Sequence, residues 1–228
     1  MASKFEAEIL KYVDESYVKD PHARIAMQLL PDKVFPPILQ DIKMGRVVYP
    51  THDLVLRVFK ETPLHKVRVV ILGQDPYHDG SAIGRAFDNM VSKAVMSPSL
   101  KAILKEIDAD VGKTDPSTST YLGHLPGQGV LLLNTALTVI KEVPGSHTKY
   151  WKPFTENMIQ AIDKQDFIVW MLWGRHAQKF ERFITNKRSF VIKGFHPSPL
   201  AGGKFYGGKY FSKANQYMNS HGLLPINW

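Results

Sequence analysis

The residues of this 228-residue chain that could do chemistry fall into four short polar stretches, each set directly after an apolar run. They are Gln74-Asp-Pro-Tyr-His78, Asn134-Thr135, Gly174-Arg-His176 and Gly194-Phe-His-Pro-Ser-Pro-Leu200. Gly, Pro and Asn are turn formers and account for part of each stretch. They do not account for two His, an Asp, a Gln and an Asn converging, a set suited to proton transfer, charge stabilisation and hydrogen-bonded recognition. Other chemistries are poorly supported. Asp75, His78 and His196 could bind a metal in principle, but no His-x-x-x-His pair or carboxylate-rich cluster backs them, so metal binding stays a minor alternative. Ser198 lacks the Gly-x-Ser-x-Gly elbow of a nucleophile and stands between two prolines. Gly203-Lys-Phe-Tyr-Gly-Gly-Lys209 has the spacing of a phosphate-binding loop. However, Tyr210 replaces the Ser or Thr that would reach magnesium, and no strand precedes it.

Four elements must bring these stretches together. Val67 to Gly73, Gly129 to Leu133, Phe167 to Trp173 and Ser189 to Ile192 are short and rich in branched and aromatic residues, which predicts buried strands. Helical spacing is read between them at Ser99 to Ile107, Pro153 to Ile162 and Ala177 to Ile184, and before them at Phe5, Ile9, Leu10 and Val13. Pro-punctuated segments follow around Pro31, Pro36-Pro37 and Pro50, and Lys113 to Thr120 reads as a surface loop. Alternating strands and helices predict an α/β fold with a central, mainly parallel four-stranded sheet flanked by helices, and one domain over 1–228. In such a sheet all four polar stretches emerge at the C-terminal edge of the strands, where α/β proteins place their sites.

Composition narrows the class. With 44% hydrophobic and 22% charged residues the chain matches globular proteins, and the absence of Cys excludes disulfides, thiol catalysis and Cys-based metal sites. No apolar run reaches membrane-span length and the start lacks a signal-like stretch, so a soluble, unexported protein is expected. The net charge of +8 is concentrated at one end. From Gly174 onward nine Lys and Arg stand against Glu181 alone, while the first 173 residues balance. That asymmetry suits a surface that meets a polyanion such as nucleic acid, and Phe195, Phe205, Tyr206, Tyr210 and Phe211 interleave stacking surface with the cations. His124 and His221 read as surface or turn residues.

Gly73-Gln-Asp-Pro-Tyr-His78, Gly129-Val-Leu-Leu-Leu-Asn134 with Leu137-Thr-Val139, and His196-Pro-Ser-Pro-Leu200 followed by Phe211-Ser-Lys-x-Asn215 and Pro225-Ile-Asn-Trp228 together resemble family 1 uracil-DNA glycosylase. Tyr49-Pro50, Thr62-Pro63, Pro98-Ser-Leu100, Ser146-His147, Trp151 and Leu172-Trp-Gly174 extend the resemblance over roughly residues 45 to 228. The resemblance implies hydrolysis of the N-glycosidic bond of deoxyuridine in single- or double-stranded DNA, without metal or cofactor. Asp75 then resembles the carboxylate that positions water and favours a cationic sugar, and His196 the donor to uracil O2. Gln74, Tyr77, Phe87 and Asn134 resemble the uracil pocket: Asn134 reading the base edge, Phe87 stacking on it, Tyr77 standing against C5. Pro98, Ser99 and Ser198 resemble phosphate contacts, and Leu200 the wedge that fills the gap left by the extruded base.

Some positions depart from the family pattern. Met96-Ser97 replaces a Pro-rich run, which suggests a more mobile phosphate loop. Lys179-Phe-Glu-Arg182 replaces a Gly-Ser loop, so that one phosphate-binding group is missing or its role passes to Arg182, and Ala201-Gly-Gly-Lys204 follows the wedge. Ile83 and Tyr150 also differ. Altered DNA affinity is the expectation. The resemblance further implies a monomer, a proteinaceous uracil-glycosylase inhibitor as a partner, and a setting in the cytoplasm of a bacterium or wherever DNA is replicated. Two other readings stay open: a mismatch-type glycosylase, and a non-catalytic DNA-binding accessory protein of the same fold.

Overall fold

Alternation along the strands decides the architecture. Val69 to Gly73 (β2), Val130 to Asn134 (β3), Val169 to Trp173 (β5) and Phe190 to Gly194 (β6) form one sheet in the order β3-β2-β5-β6, every pair parallel. In this computed structural model, which describes residues 8–90, 96–112 and 120–228, successive side chains go to opposite faces and both faces are covered. Val70, Leu72, Leu131, Leu133, Trp170 and Leu172 join one core; Val69, Ile71, Val130, Leu132, Val169, Met171 and Trp173 join the other. Each such buried side chain contributes about 1.5–3 kcal/mol relative to exposure.

The first core is closed by helices Ser16–Lys19 (α1), Pro21–Leu29 (α2), Phe35–Lys43 (α3), Arg57–Glu61 (α4) and Thr148–Asp163 (α6). The second is closed by Pro98–Val111 (α5) and Tyr210–Ser220 (α8). The prolines at 31 and 36-37 do not break the helical run: a π-helical turn, Leu30–Val34, joins α2 directly to α3 around them. Pro21 and Pro98 stand in first turns, where the missing N–H had no partner to lose. Asp20 and Ser97 cap two of those helices by accepting from backbone N–H groups.

Other expectations need correction. Ile9 and Val13 are buried as read, but the chain turns before α1, and Phe5 and the loop from Lys113 to Ser119 lie outside the described residues. Helix Ala177 to Ile184 is instead a short helix, Gly174–Gln178 (α7), and a 3-10 turn at Glu181–Phe183. The chain must turn back to enter β6 here, and buried Asp163 captures the N–H groups of Thr185 and Asn186. A two-stranded antiparallel ribbon, Val48–Tyr49 (β1) with Val139–Ile140 (β4), and helix α8 were not anticipated. Phe205, Tyr210 and Phe211 are core residues, not stacking surface, because Trp173 and Trp228 pack against them. His124 lies in a turn as read, half-buried, with its ring nitrogens shielded from solvent.

The end of β6 depends on close approach. Tyr210 lies flat against Gly194 and Gly208, and a Cβ on either glycine would overlap its ring. Gly208→Ala is therefore expected to cost about 1–3 kcal/mol by overpacking, read as a lower urea midpoint with an unchanged slope.

Candidate active site

The four strands end level with one another. Gly73 pairs with Asn134 and Trp173 with Gly194, so the polar stretches that follow share one edge. At its centre is Asn134. A Cβ on Gly73 would overlap its Oδ1, so only glycine at 73 leaves the amide where it is. Although Asn134 is only 6% exposed, its carboxamide has no hydrogen-bond partner among the described residues. Buried polar groups are normally paired. An open amide here offers a donor and an acceptor side by side to a planar ligand.

Asp75 follows β2 and accepts the N–H of Gly145 at 2.5 Å. Burial pushes its carboxyl above the ordinary carboxylate range, a rise that this N–H, His176 and His78 only partly offset. Gly145 belongs to a turn held from below. Ser146 accepts the N–H of Ile140, and His147 links Thr138 to Asp41 through its two ring nitrogens, at 2.8 and 3.1 Å. Gln74 is exposed, and its carbonyl accepts from the Ala136 N–H and the Thr135 hydroxyl. Since that hydroxyl spends its proton on Gln74, it must accept from Nε2–H of His176, 2.8 Å away.

His196 follows β6. The backbone N–H of Ser198 donates to its Nδ1 at 3.0 Å, so the ring proton sits on Nε2. Burial first, and the neighbouring His176 second, hold its pKa below the ordinary histidine value. The imidazole is thus neutral near pH 7, with a single N–H to offer. Gly174 lets it pack closely, since a Cβ there would stand 2.9 Å from that of His196.

Phe87 forms the adjoining wall, its ring centroid 5.9 Å from that of His196 and 5.8 Å from Trp173. Its backbone is in the left-handed region, φ 64°, which is strained for a bulky residue. The flanking residues hold it there. Arg85 makes a bidentate pair with Glu61 at 2.7 and 2.8 Å and reaches Asp88 at 2.9 Å, while Asp88 also accepts the N–H groups of Asn89 and Leu122. Tyr77 completes the corner: its hydroxyl bonds the Phe87 carbonyl at 3.1 Å and Ser97 Oγ at 2.5 Å. Burial pushes that phenol up to about 12.

The structure therefore gathers Gln74, Asp75, Tyr77, Phe87, Asn134 and His196 at one edge. Pro98 and Ser99 begin α5 immediately after Ser97, Ser198 orients the His196 ring, and Leu200 stands clear of the fold at 98% exposure. Ser97 is not loosely held, because it caps α5 and also bonds Tyr77 and Asn89. Arg182 pairs with Glu156 at 3.4 Å, and Arg188 and Lys193 also have carboxylate partners, so part of the C-terminal charge is neutralised locally. Gly145 and the Arg85 pairs escaped the sequence reading, and Thr135 and Ser97 entered it without their partners Gln74, His176 and Tyr77. Only Ser97 had a local signal, a Ser before a helix-starting Pro.

An all-parallel sheet that presents an open amide, a carboxylate and a neutral imidazole at its carboxyl edge is the layout of an α/β enzyme that recognises a planar, amide-like ligand. The chain belongs to the uracil DNA glycosylase superfamily, whose family model matches residues 59–219. It is 45% identical to the uracil-DNA glycosylase of Agathobacter rectalis over 194 residues, 83% of this chain and 86% of that one. With that of Campylobacter hominis the identity is 44% over 188 residues, covering 81% and 79%. The crystal structure of mimivirus uracil-DNA glycosylase shares the fold at 23% identity with a TM-score of 0.77, covering 100% of this chain and 94% of that one. A mimivirus UNG variant in complex with UGI superposes with a TM-score of 0.80 at 23% identity, covering 100% and 95%.

Removing one partner of a buried ion pair leaves the other uncompensated. Arg85→Met leaves buried Asp88 without its cation and Glu61 with Arg57 alone, and is expected to cost about 3–5 kcal/mol, measured by chemical denaturation.

Proposed function

We propose that this chain is a uracil-DNA glycosylase of family 1, a DNA-repair hydrolase that releases free uracil from DNA and leaves an abasic site. The observation that carries the reading is the pairing of an unpartnered Asn134 amide with an imidazole whose only N–H is on Nε2. Uracil presents an O4 acceptor beside an N3–H donor, which matches the Asn134 carboxamide. The Gln74-Asp-Pro-Tyr-His78 and His196-Pro-Ser-Pro-Leu200 motifs favour family 1 over a mismatch-type glycosylase. The presence of both Asp75 and His196 favours an enzyme over an accessory protein.

The chemistry follows from charge. As the C1′–N1 bond breaks, its electron pair goes to the base and positive charge builds on the sugar. The anionic base is stabilised at O2 by the Nε2–H of His196, acting as a neutral electrophile that keeps its proton. The Asp75 carboxylate, ionised above its raised pKa, stabilises the sugar cation, holds the water whose oxygen bonds to C1′ and takes up the proton that this water releases. Phe87 stacks on the extruded base, and Ser99, Pro98 and Ser198 lie where phosphates would be gripped. Leu200 fills the vacated stack. We infer a single catalytic domain acting as a monomer on uracil-containing DNA, with a protein inhibitor of the UGI kind as a further partner.

The central test is release of free uracil from a uracil-containing oligonucleotide by the purified protein in EDTA; its absence overturns the reading. Within it, Asp75→Asn and His196→Leu are expected to lower excision by about 10²-fold or more. The Asp75 carboxyl binds its proton more tightly in the folded chain than in the unfolded one. Its contribution to stability is therefore full below the unfolded pKa and lost as pH rises through the raised folded value. Near neutral pH, Asp75→Asn should thus keep or raise Tm while activity collapses, and the acid limb of the wild-type pH profile should vanish in the variant. A large fall in Tm would mean that Asp75 serves the fold.

Discrimination against thymine gives a second test. Both bases show Asn134 the same polar edge, and a pocket that merely fits or crowds one methyl discriminates by only about 10- to 200-fold. A rigid wall is needed, and the two hydrogen bonds on the Tyr77 hydroxyl make its ring rigid. Tyr77→Ala is expected to excise uracil more slowly and to release thymine from ordinary DNA. A folded, active variant that releases no thymine assigns the wall elsewhere.

A further inference from the structure

Two aromatic rings of the basic C-terminal quarter remain exposed. Phe195 is 54% exposed and Tyr206 44% exposed, whereas their neighbours Phe205, Tyr210 and Phe211 are buried. Each exposed ring carries a lysine: Lys204 Nζ lies 5.5 Å from the Phe195 centroid and Lys105 Nζ 5.0 Å from that of Tyr206. Neither lysine pairs with a carboxylate among the described residues. A single exposed Phe needs no explanation. Phe195, however, immediately precedes His196, and the lysine over its ring belongs to the loop that carries Leu200.

The backbone around these rings is held. Gly194 rests on Tyr210, and the carboxylate of Glu106, buried in α5, accepts the N–H groups of Gly207 and Lys209 at 2.7 and 3.0 Å. The two rings are thus presented in fixed positions at little further entropic cost on binding. An exposed aromatic ring with a cation held over one face, not paired with a carboxylate, is a combination that can take a nucleobase on the other face and its adjoining phosphate. A base can use such a face only if it is not already stacked on both sides within a duplex.

We propose that Phe195, with Lys204 against it, is a stacking platform for an unpaired base neighbouring the extruded nucleotide. The proposal rests on the glycosylase reading for the extruded nucleotide, but the platform itself can be tested without catalysis. Wild type and Phe195→Ala are compared by fluorescence anisotropy on a uracil-free single strand and on a strand of equal length made of abasic spacers. Stacking predicts that wild type favours the base-containing strand by about 5- to 100-fold and that Phe195→Ala loses most of that preference while keeping its affinity for the spacer strand. Phe195→Trp should retain it.

Excision supplies the second arm. Phe195→Ala is expected to raise KM for single-stranded substrate by a similar factor with kcat nearly unchanged, and to affect duplex substrate little. Leu200→Ala should show the reverse order, since only a duplex has a stack to hold open. Equal affinity of wild type for the two strands, or equal losses by Phe195→Ala on single-stranded and duplex substrates, overturns the platform. If wild type binds the base-containing strand preferentially through Phe195 yet releases no uracil, the platform stands and the glycosylase reading fails.

Discussion

The site depends on one hydrogen bond whose direction is fixed by the backbone. The group that meets the ring is the backbone N–H of Ser198, which can only donate, so Nδ1 of His196 must accept, and the ring's proton is left on Nε2. A protonated imidazole would be a stronger donor, but burial and the nearby His176 oppose that charge. The neutral form needs a close, dry setting, and the glycine at 174 provides the approach. Asp75 faces the opposite demand. Its carboxylate must be ionised to act, and in its half-buried setting the Gly145 N–H favours the charged form. The separation of these two protonation states across one sheet edge is what allows charge to be split between base and sugar.

Rigidity around that edge is supplied at some cost to the fold. Phe87 sits in a conformation that a bulky residue avoids, and Arg85, Glu61 and Asp88 are taken out of water to brace it. Burial alone would push the Glu61 carboxyl up, but Arg85 and Arg57 hold it below its ordinary value. Buried ion pairs of this kind contribute little net stability relative to well-packed apolar residues. What they add here is position, since Arg85 and Asp88 bracket Phe87 from either side.

The same separation of roles runs through the basic C-terminal quarter. Its large apolar residues alternate between core and surface: Phe205, Tyr210 and Phe211 pack around Trp173 beneath the site, while Phe195, Leu200 and Tyr206 face outward. Glu106 and Asp110 join the two sets by receiving the N–H groups at the start of α8. The outward side chains therefore stand on a base anchored to the sheet.

Much of this was legible along the chain. Four apolar runs of strand length, each followed by polar residues, define a parallel sheet and the edge where a site must lie, because side-chain alternation and the C-terminal exit are local properties of a strand. The types of Asp75, Asn134 and His196, with their motifs, marked the chemistry. Other features required the folded chain. The prolines at 31, 36 and 37 look like breaks until a π-helical turn is seen to carry the helix through them, and Phe205 cannot be told from Phe195 until Trp173 is packed against one of them. Gly145 lies 70 residues from Asp75 and Arg85 lies 24 from Glu61, so no local pattern announces either contact. Residue type fixes what a side chain can donate or accept. Its partner, its burial and hence its protonation state are set by which distant segments the packed cores bring within hydrogen-bonding distance.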